Sequence, residues 1–149
     1  MRRFVERLAD KSGAVTDTIT LSYDQRTRSR LRVTTDSNIE VGLFLPRGTV
    51  LNQGDLLRAE DGTIVEVRAA GETVSSASTD TPLLLNRASY HLGNRHVPLQ
   101  FGPDFVRYLH DHVLDDMVRA LGLKVETIQA PFEPEPGAYH RSGPVHDHG

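Results

Sequence analysis

Seven histidines are the side chains in this sequence best suited to chemistry, and all of them lie beyond residue 90: His91, His96, His110, His112, His140, His146 and His148. Chance placement would confine them to that stretch with a frequency of roughly one in several hundred. Imidazole is the commonest metal ligand among side chains and the one that titrates near neutral pH. Cysteine is absent, which excludes disulfides, iron–sulfur clusters and thiolate zinc sites. The ligand set on offer is imidazole with water or carboxylate, which suits nickel, copper and zinc. The histidine-rich half is also the acidic half. Residues 71–149 carry 10 acidic against 6 basic side chains, while residues 1–70 carry 10 against 11. Such a balance attracts cations rather than phosphates.

The histidines differ in setting. His110-Asp111-His112 stands where a strand gives way to a helix. Residues two apart on an extended backbone face the same side, so these two imidazoles could share an ion. A solvated pair beside a helix cap is the plainer alternative. A helix N-terminus also disfavours imidazolium and keeps His112 in the neutral form a metal needs. His91 falls on or beside the apolar stripe of the preceding helix and reads as a core-edge histidine. His96 follows Gly93, after that helix has ended and before the next strand, and belongs to neither apolar pattern. His146 and His148 form a terminal His-x-His that reads either as a weak adventitious cation site or as an addition to another site. One chain holds few of these ligands rigidly together. A twofold dimer with His96 near its axis would bring two imidazoles to one ion, because an isologous interface repeats every residue. Tail histidines could complete the shell.

The elements that must position these residues divide at about residue 70. Upstream, β-branched residues and turn signals dominate. Val15–Leu21, Arg30–Thr35, Glu40–Leu45, Thr49–Leu51, Asp55–Ala59 and Thr63–Val67 read as short strands, with Pro46-Arg47-Gly48 and Asp61-Gly62 as turns. Five or six strands at such spacing indicate a small all-β sandwich or barrel-like module over residues 1–70. Arg26, Arg28, Arg30 and Arg32 recur at period two and read as the solvated face of a strand, with a basic binding strip as the alternative.

Downstream, residues 71–130 alternate in another way. Glu72–Ser78 is a polar strand. Asp80 or Thr81 caps a helix with Pro82 in its first turn, and Gly93 ends it. Val97, Leu99 and Phe101 alternate as a strand, and Phe105–Leu109 returns. Asp111 caps a second helix with Val113, Leu114, Met117, Val118 and Leu121 on one stripe, and Gly122 stops it. Asp115 and Asp116 in its early turns suit the helix dipole. Lys124–Ile128 closes the order β-α-β-β-α-β, the ferredoxin-like plan. The expected fold class is therefore α+β: an N-terminal all-β domain, a C-terminal ferredoxin-like domain, and a histidine-containing tail from residue 131. Its run Ala130-Pro131-Phe132-Glu133-Pro134-Glu135-Pro136-Gly137 is too proline-rich to pack. No run approaches the ~20 apolar residues of a membrane span. Met1–Glu6 does not read as a signal peptide, so the expected compartment is the cytoplasm, without membrane or nucleic-acid partners.

Several long ordered stretches resemble one known family, the UreE urease accessory proteins, which are nickel chaperones. In the first half they are Ser29–Val33, Val41–Leu51, Gly54-Asp55 and Glu60–Gly62. In the second they are Tyr90–Gln100 and Asp111–Leu114. The resemblance covers nearly the whole chain and implies a peptide- or partner-binding β domain followed by a ferredoxin-like metal-binding domain. It implies a homodimer through the second domain, with Ni(II) bound at the interface by His96. It further implies accessory sites at His110 and His112, as in some members, and delivery of Ni(II) to the urease apoprotein with an accessory GTPase. Cu(II) or Zn(II) would also bind in vitro. The tail departs from the best-known members by carrying spaced histidines, including His146 and His148, in place of a polyhistidine run.

Two other functions compete. A metal-dependent hydrolase would use His110, His112 and an aspartate such as Asp111, but it needs an open coordination position and a general base. No His-Glu-x-x-His frame is present. The other competitor is a peptide-binding adaptor whose metal affinity is incidental. The expected protein is not an enzyme.

Overall fold

The computed structural model describes residues 1–10 and 13–137. These form two compact units, Met1–Ala70 and Gly71–Gly137.

The first unit is a six-stranded sheet of β1 (Arg2–Arg7), β2 (Val15–Leu21), β3 (Arg30–Thr34), β4 (Glu40–Phe44), β5 (Leu56–Ala59) and β6 (Ile64–Ala69), in the order β2-β6-β5-β1-β4-β3. The sheet curls because its two edges approach each other. The Asp36 N–H donates to the Thr18 carbonyl at 2.9 Å, and the Thr20 hydroxyl donates to the Asp36 carboxylate at 2.9 Å. Phe4, Ile19, Leu21, Leu43, Leu57 and Val67 fill the interior.

Sequence periodicity misses two elements here. In β1 only Phe4 is buried, so no alternation marks it, yet it pairs with both β4 and β5. A single-turn helix α1 (Tyr23–Arg26) is held by a reciprocal cap between Ser22 and Gln25. That helix overturns the reading of four arginines as one strand face. Arg26 is buried, its Nε donating to the Leu21 carbonyl and its Nη1 to the Leu51 carbonyl. Arg28 instead pairs with Asp24 on the surface. Thr49–Leu51 forms no strand; Leu51 turns inward, and its N–H donates to the Arg26 carbonyl at 2.9 Å.

The second unit runs β7 (Gly71–Ser78), α2 (Pro82–Asn94), β8 (Gln100–Phe101), β9 (Phe105–Leu109), α3 (His112–Ala120) and β10 (Lys124–Pro131), with antiparallel sheet order β10-β7-β9-β8. This is the ferredoxin-like β-α-β-β-α-β arrangement. Polar β7 takes an interior place because its side chains are small. Ser75 and Ala77 are fully buried beside Tyr108 and Val106 of β9, their cross-strand partners. Ala77, Ala88, Leu92, Val106, Tyr108, Val118 and Leu123 form one core between sheet and helices. Val97 and Leu99 pack inward, but Phe101 is 49% exposed, so the expected alternation fails in a strand only two residues long.

The chain also stays packed past residue 131, against the expectation from composition. Pro131 pairs with Gly71 at the end of β10, and Phe132 is fully buried. The Glu133 N–H donates to Gln100 Oε1 at 3.2 Å, and the Glu135 N–H donates to the Leu99 carbonyl at 2.6 Å. Burial of the phenylalanine, the backbone bonds of this segment and the stiffness of its prolines together offset the entropy of fixing these residues. His140, His146 and His148 lie outside the described residues.

Phe132→Ala should destabilise the protein by about 3–5 kcal/mol, measured by denaturant unfolding. A loss under about 0.5 kcal/mol, usual for a surface residue, would show that this segment is not anchored.

Candidate functional site

His96 owes its position to the way α2 ends. Leu92-Gly93-Asn94 remain helical and Arg95 is the C-cap, so Gly93 does not stop the helix as its residue type suggests. The reversal falls on His96, which has φ +59°. The His96 N–H donates to the Gly93 carbonyl at 2.9 Å and the Val97 N–H to the Leu92 carbonyl at 3.3 Å. These two bonds, with Val97 and Leu92 packed in the same core, make a Schellman ending with His96 in the left-handed position that glycine usually fills. The second helix ends in the same way with the usual residue. Gly122 has φ +108°, its N–H donates to the Arg119 carbonyl at 2.9 Å, and the Leu123 N–H donates to the Val118 carbonyl at 3.3 Å. One motif thus occurs twice in the unit, once with glycine and once with histidine. His96 is exposed, so packing does not explain the imidazole. A histidine in left-handed backbone is less costly than a β-branched residue but still worse than glycine.

The second histidine segment is built by β9, α3 and β7. Tyr108 and His110 lie two residues apart on extended backbone and so face the same side. The His110 N–H donates to the Thr73 carbonyl at 3.1 Å, continuing the pairing of β9 with β7. Its Nδ1 lies 3.1 Å from Ser75 Oγ and 3.3 Å from Asp115 Oδ2. The other Asp115 oxygen accepts the Tyr108 hydroxyl at 2.8 Å. Asp115 is only 2% exposed and Ser75 and Tyr108 are fully buried, whereas the His110 side chain is 40% exposed. A buried polar chain therefore ends at a surface imidazole. Burial above all, and then the hydrogen bond to Asp115 and its charge, push the Tyr108 phenol well above the usual tyrosine value.

Reading α3 for its dipole misses this role of Asp115, because the buried line of the helix is not the expected one. Val113 is 63% exposed, while Asp115 and Val118 point inward with Leu114 and Met117 half-buried. The available signal was an aspartate between Leu114 and Val118 on the inward face, seven residues after a tyrosine that also faces inward.

Asp111 is the N-cap, as its position suggests. Its Oδ1 accepts the Val113 N–H at 2.9 Å and the Leu114 N–H at 3.1 Å. Those bonds weaken its candidacy as a hydrolytic base. His112 is the first residue of α3 and is exposed. His91 is half-buried, its ring meeting Tyr90 edge to face at 5.2 Å between centroids. Among the described residues, no group of three or more histidines, aspartates and glutamates is gathered closely enough to hold an ion. The structure joins His110 to Asp115 and brings His96 to no such cluster.

Residues 3–70 match the model of the N-terminal domain of the UreE urease accessory protein, and residues 72–149 match that of its C-terminal domain. The chain belongs to the UreE urease accessory protein family. The urease accessory protein UreE of Teredinibacter turnerae is 58% identical over 129 residues, 87% of this chain and 84% of that protein. Its counterpart in Alkalilimnicola ehrlichii is 57% identical over 139 residues, 93% of this chain and 85% of that protein. The Vibrio parahaemolyticus protein is 59% identical over 132 residues, covering 87% and 83%. These matches are to an accessory protein of urease, not to urease itself. No helix among the described residues is long and apolar enough to cross a membrane.

The Tyr108 shift makes an alkaline prediction. Because folding raises this pKa, the folded state holds its proton longer than the unfolded chain does. The stabilisation is complete below the unfolded value near 10 and is lost as pH rises through the higher folded value. Ultraviolet titration should show a tyrosine step well above the usual phenol value, and Tyr108→Phe should remove that late step.

Proposed function

We propose that this protein is a nickel-binding metallochaperone that delivers Ni(II) to apo-urease during urease maturation. It works as a homodimer in the cytoplasm, together with a urease accessory GTPase. The observation that carries this reading is His96: an exposed imidazole held at a backbone position that favours glycine. Strained positions of this kind cluster at functional sites, where the side chain is needed for something other than the fold.

Two features support a site shared between two copies. The described residues of one chain gather no complete ligand set. The segments around His96 expose large apolar side chains, Tyr90 at 66% and Phe101 at 49%, and exposed apolar surface of this kind is suited to burial against a second copy. Two imidazoles facing each other across a twofold axis would bind Ni(II) while leaving positions open, so the ion could be handed on. His110 and His112 are read as accessory capture sites, joined by His146 and His148 of the tail. The first unit is read as the partner-binding domain. Copper would bind more tightly than nickel on intrinsic affinity, and Zn(II) would also bind, so selectivity in the cell would come from partners and supply. The hydrolase reading is weakened by the capping role of Asp111, and no specific observation favours the adaptor reading.

The test is a nickel titration with molecular mass measured in parallel on the wild type, His96→Ala and His96→Gly. Both variants should lose more than the ~10–100-fold in affinity usual when a residue behind a ligand is removed. A wild-type affinity retained in either would sink the proposal. Thermal unfolding separates the variants. His96→Gly should fold as stably as the wild type or gain up to ~1 kcal/mol, because relief of the left-handed strain offsets the entropy of glycine. A large loss of stability in His96→Gly would mean that the imidazole serves the fold instead.

A further inference from the structure

The buried chain behind His110 has a direction, and the direction bears on which ring nitrogen can meet a metal. Asp115 as a carboxylate only accepts hydrogen bonds. One of its oxygens is taken by the Tyr108 hydroxyl at 2.8 Å, and the other faces His110 Nδ1 at 3.3 Å. A carboxylate oxygen in that place favours a proton on Nδ1. A neutral imidazole carries one N–H, so Nε2 is then the free lone pair. Nδ1 is the inward nitrogen, turned to Asp115 and to the fully buried Ser75, while 40% of the His110 side chain remains exposed. The accessible edge of the ring is therefore the edge that carries Nε2.

We infer that Asp115 is a positioning residue for metal capture: it holds His110 as the Nδ1–H tautomer and presents Nε2 outward as the metal-accepting nitrogen. The inference rests on the reading of His110 as a metal ligand given above. Metal-bound histidines commonly donate their second N–H to a carboxylate, which fixes the tautomer and ring orientation and raises the basicity of the ligating nitrogen. Here Asp115 stands where such a partner stands, with Oδ2 3.3 Å from His110 Nδ1. It is itself fixed by Tyr108 from the neighbouring strand and by its own place on the inward face of α3. A merely structural Asp115 would tie α3 to the sheet through Tyr108 and be indifferent to which His110 nitrogen carries the proton.

Asp115→Asn separates the two roles. With the Tyr108 hydroxyl still donating to Oδ1, the asparagine turns its NH₂ toward His110 Nδ1. The amide N–H then favours an accepting Nδ1, the Ser75 hydroxyl 3.1 Å away can donate to that nitrogen as readily as accept from it, and the proton moves to Nε2. Long-range proton–nitrogen correlation spectra of the full-length, metal-free protein at mildly alkaline pH report the tautomer of each histidine directly. The wild type should show Nδ1–H at His110, Asp115→Asn should show Nε2–H, and Tyr108→Phe, which keeps the carboxylate, should retain Nδ1–H. Ni(II) titration in a His96→Ala background removes the interface ligand, and its difference from the same background carrying His110→Ala reads the contribution of His110. There, Asp115→Asn should weaken Ni(II) binding by ~10–100-fold. An Nε2–H tautomer in the wild type would overturn the inference even if the variant failed to fold. So would a tautomer unchanged by Asp115→Asn, or one that flips with no change in Ni(II) affinity. The tautomer is read without nickel. A wild type that shows Nδ1–H but takes up no Ni(II) at any site therefore counts against the chaperone reading and not against the orientation of the ring.

Discussion

The bond between the Tyr108 hydroxyl and the Asp115 carboxylate is the contact on which the second unit's histidine segment depends. A buried carboxylate without partners costs several kcal/mol, and a hydrogen bond to a charged group contributes about 1.5–3 kcal/mol. Helix α3 can turn Asp115 inward only because Tyr108 meets it, and Tyr108 is presented only because β9 lies beside β7 with Ser75 opposite. The small side chains of β7 then have a reason beyond leaving room for the helices. A larger apolar residue at position 75 would fill the space through which His110 reaches the carboxylate. Strand pairing, helix rotation and ring orientation are thus one arrangement.

Helices α2 and α3 solve the same terminal problem with different residues. Each leaves carbonyls unsatisfied at its end, and each satisfies two of them by a left-handed turn. Gly122 does so at no steric cost, and its backbone leads into Leu123, which is buried. His96 does so with a side chain that gives nothing to the core. The contrast within one unit removes the usual difficulty of judging a strained residue, because the motif's own preferred residue stands in the partner helix.

Most of the fold was legible because it follows simple periods. Val15–Leu21 and Arg30–Thr34 alternate, Asp111 has the composition of a cap, and Gly122 ends its helix as glycine should. What was not legible falls where one residue outweighs a pattern. A lone Phe4 holds β1, Arg26 is buried by two carbonyls, and Phe132 anchors a proline-rich segment. The site shows the same division. His96 stands out as a histidine outside any apolar stripe, yet its backbone conformation could not be anticipated, because Gly93 three residues earlier was the better candidate to end the helix. Asp115 looked like one of two acids suiting a dipole. Only the rotation of α3, which exposes Val113 and buries Asp115, reveals a partner for His110.

The contact between the Glu135 N–H and the Leu99 carbonyl has a consequence for the loop that bears His96. Leu99 follows His96 by three residues, and its neighbour Gln100 accepts the Glu133 N–H on its side chain. The loop is therefore held at both ends: the left-handed turn ties its start to α2, and the segment beyond β10 ties its exit. A ligand bound by a side chain on so braced a loop would have little backbone to order on arrival, and ordering backbone is one of the costs of binding.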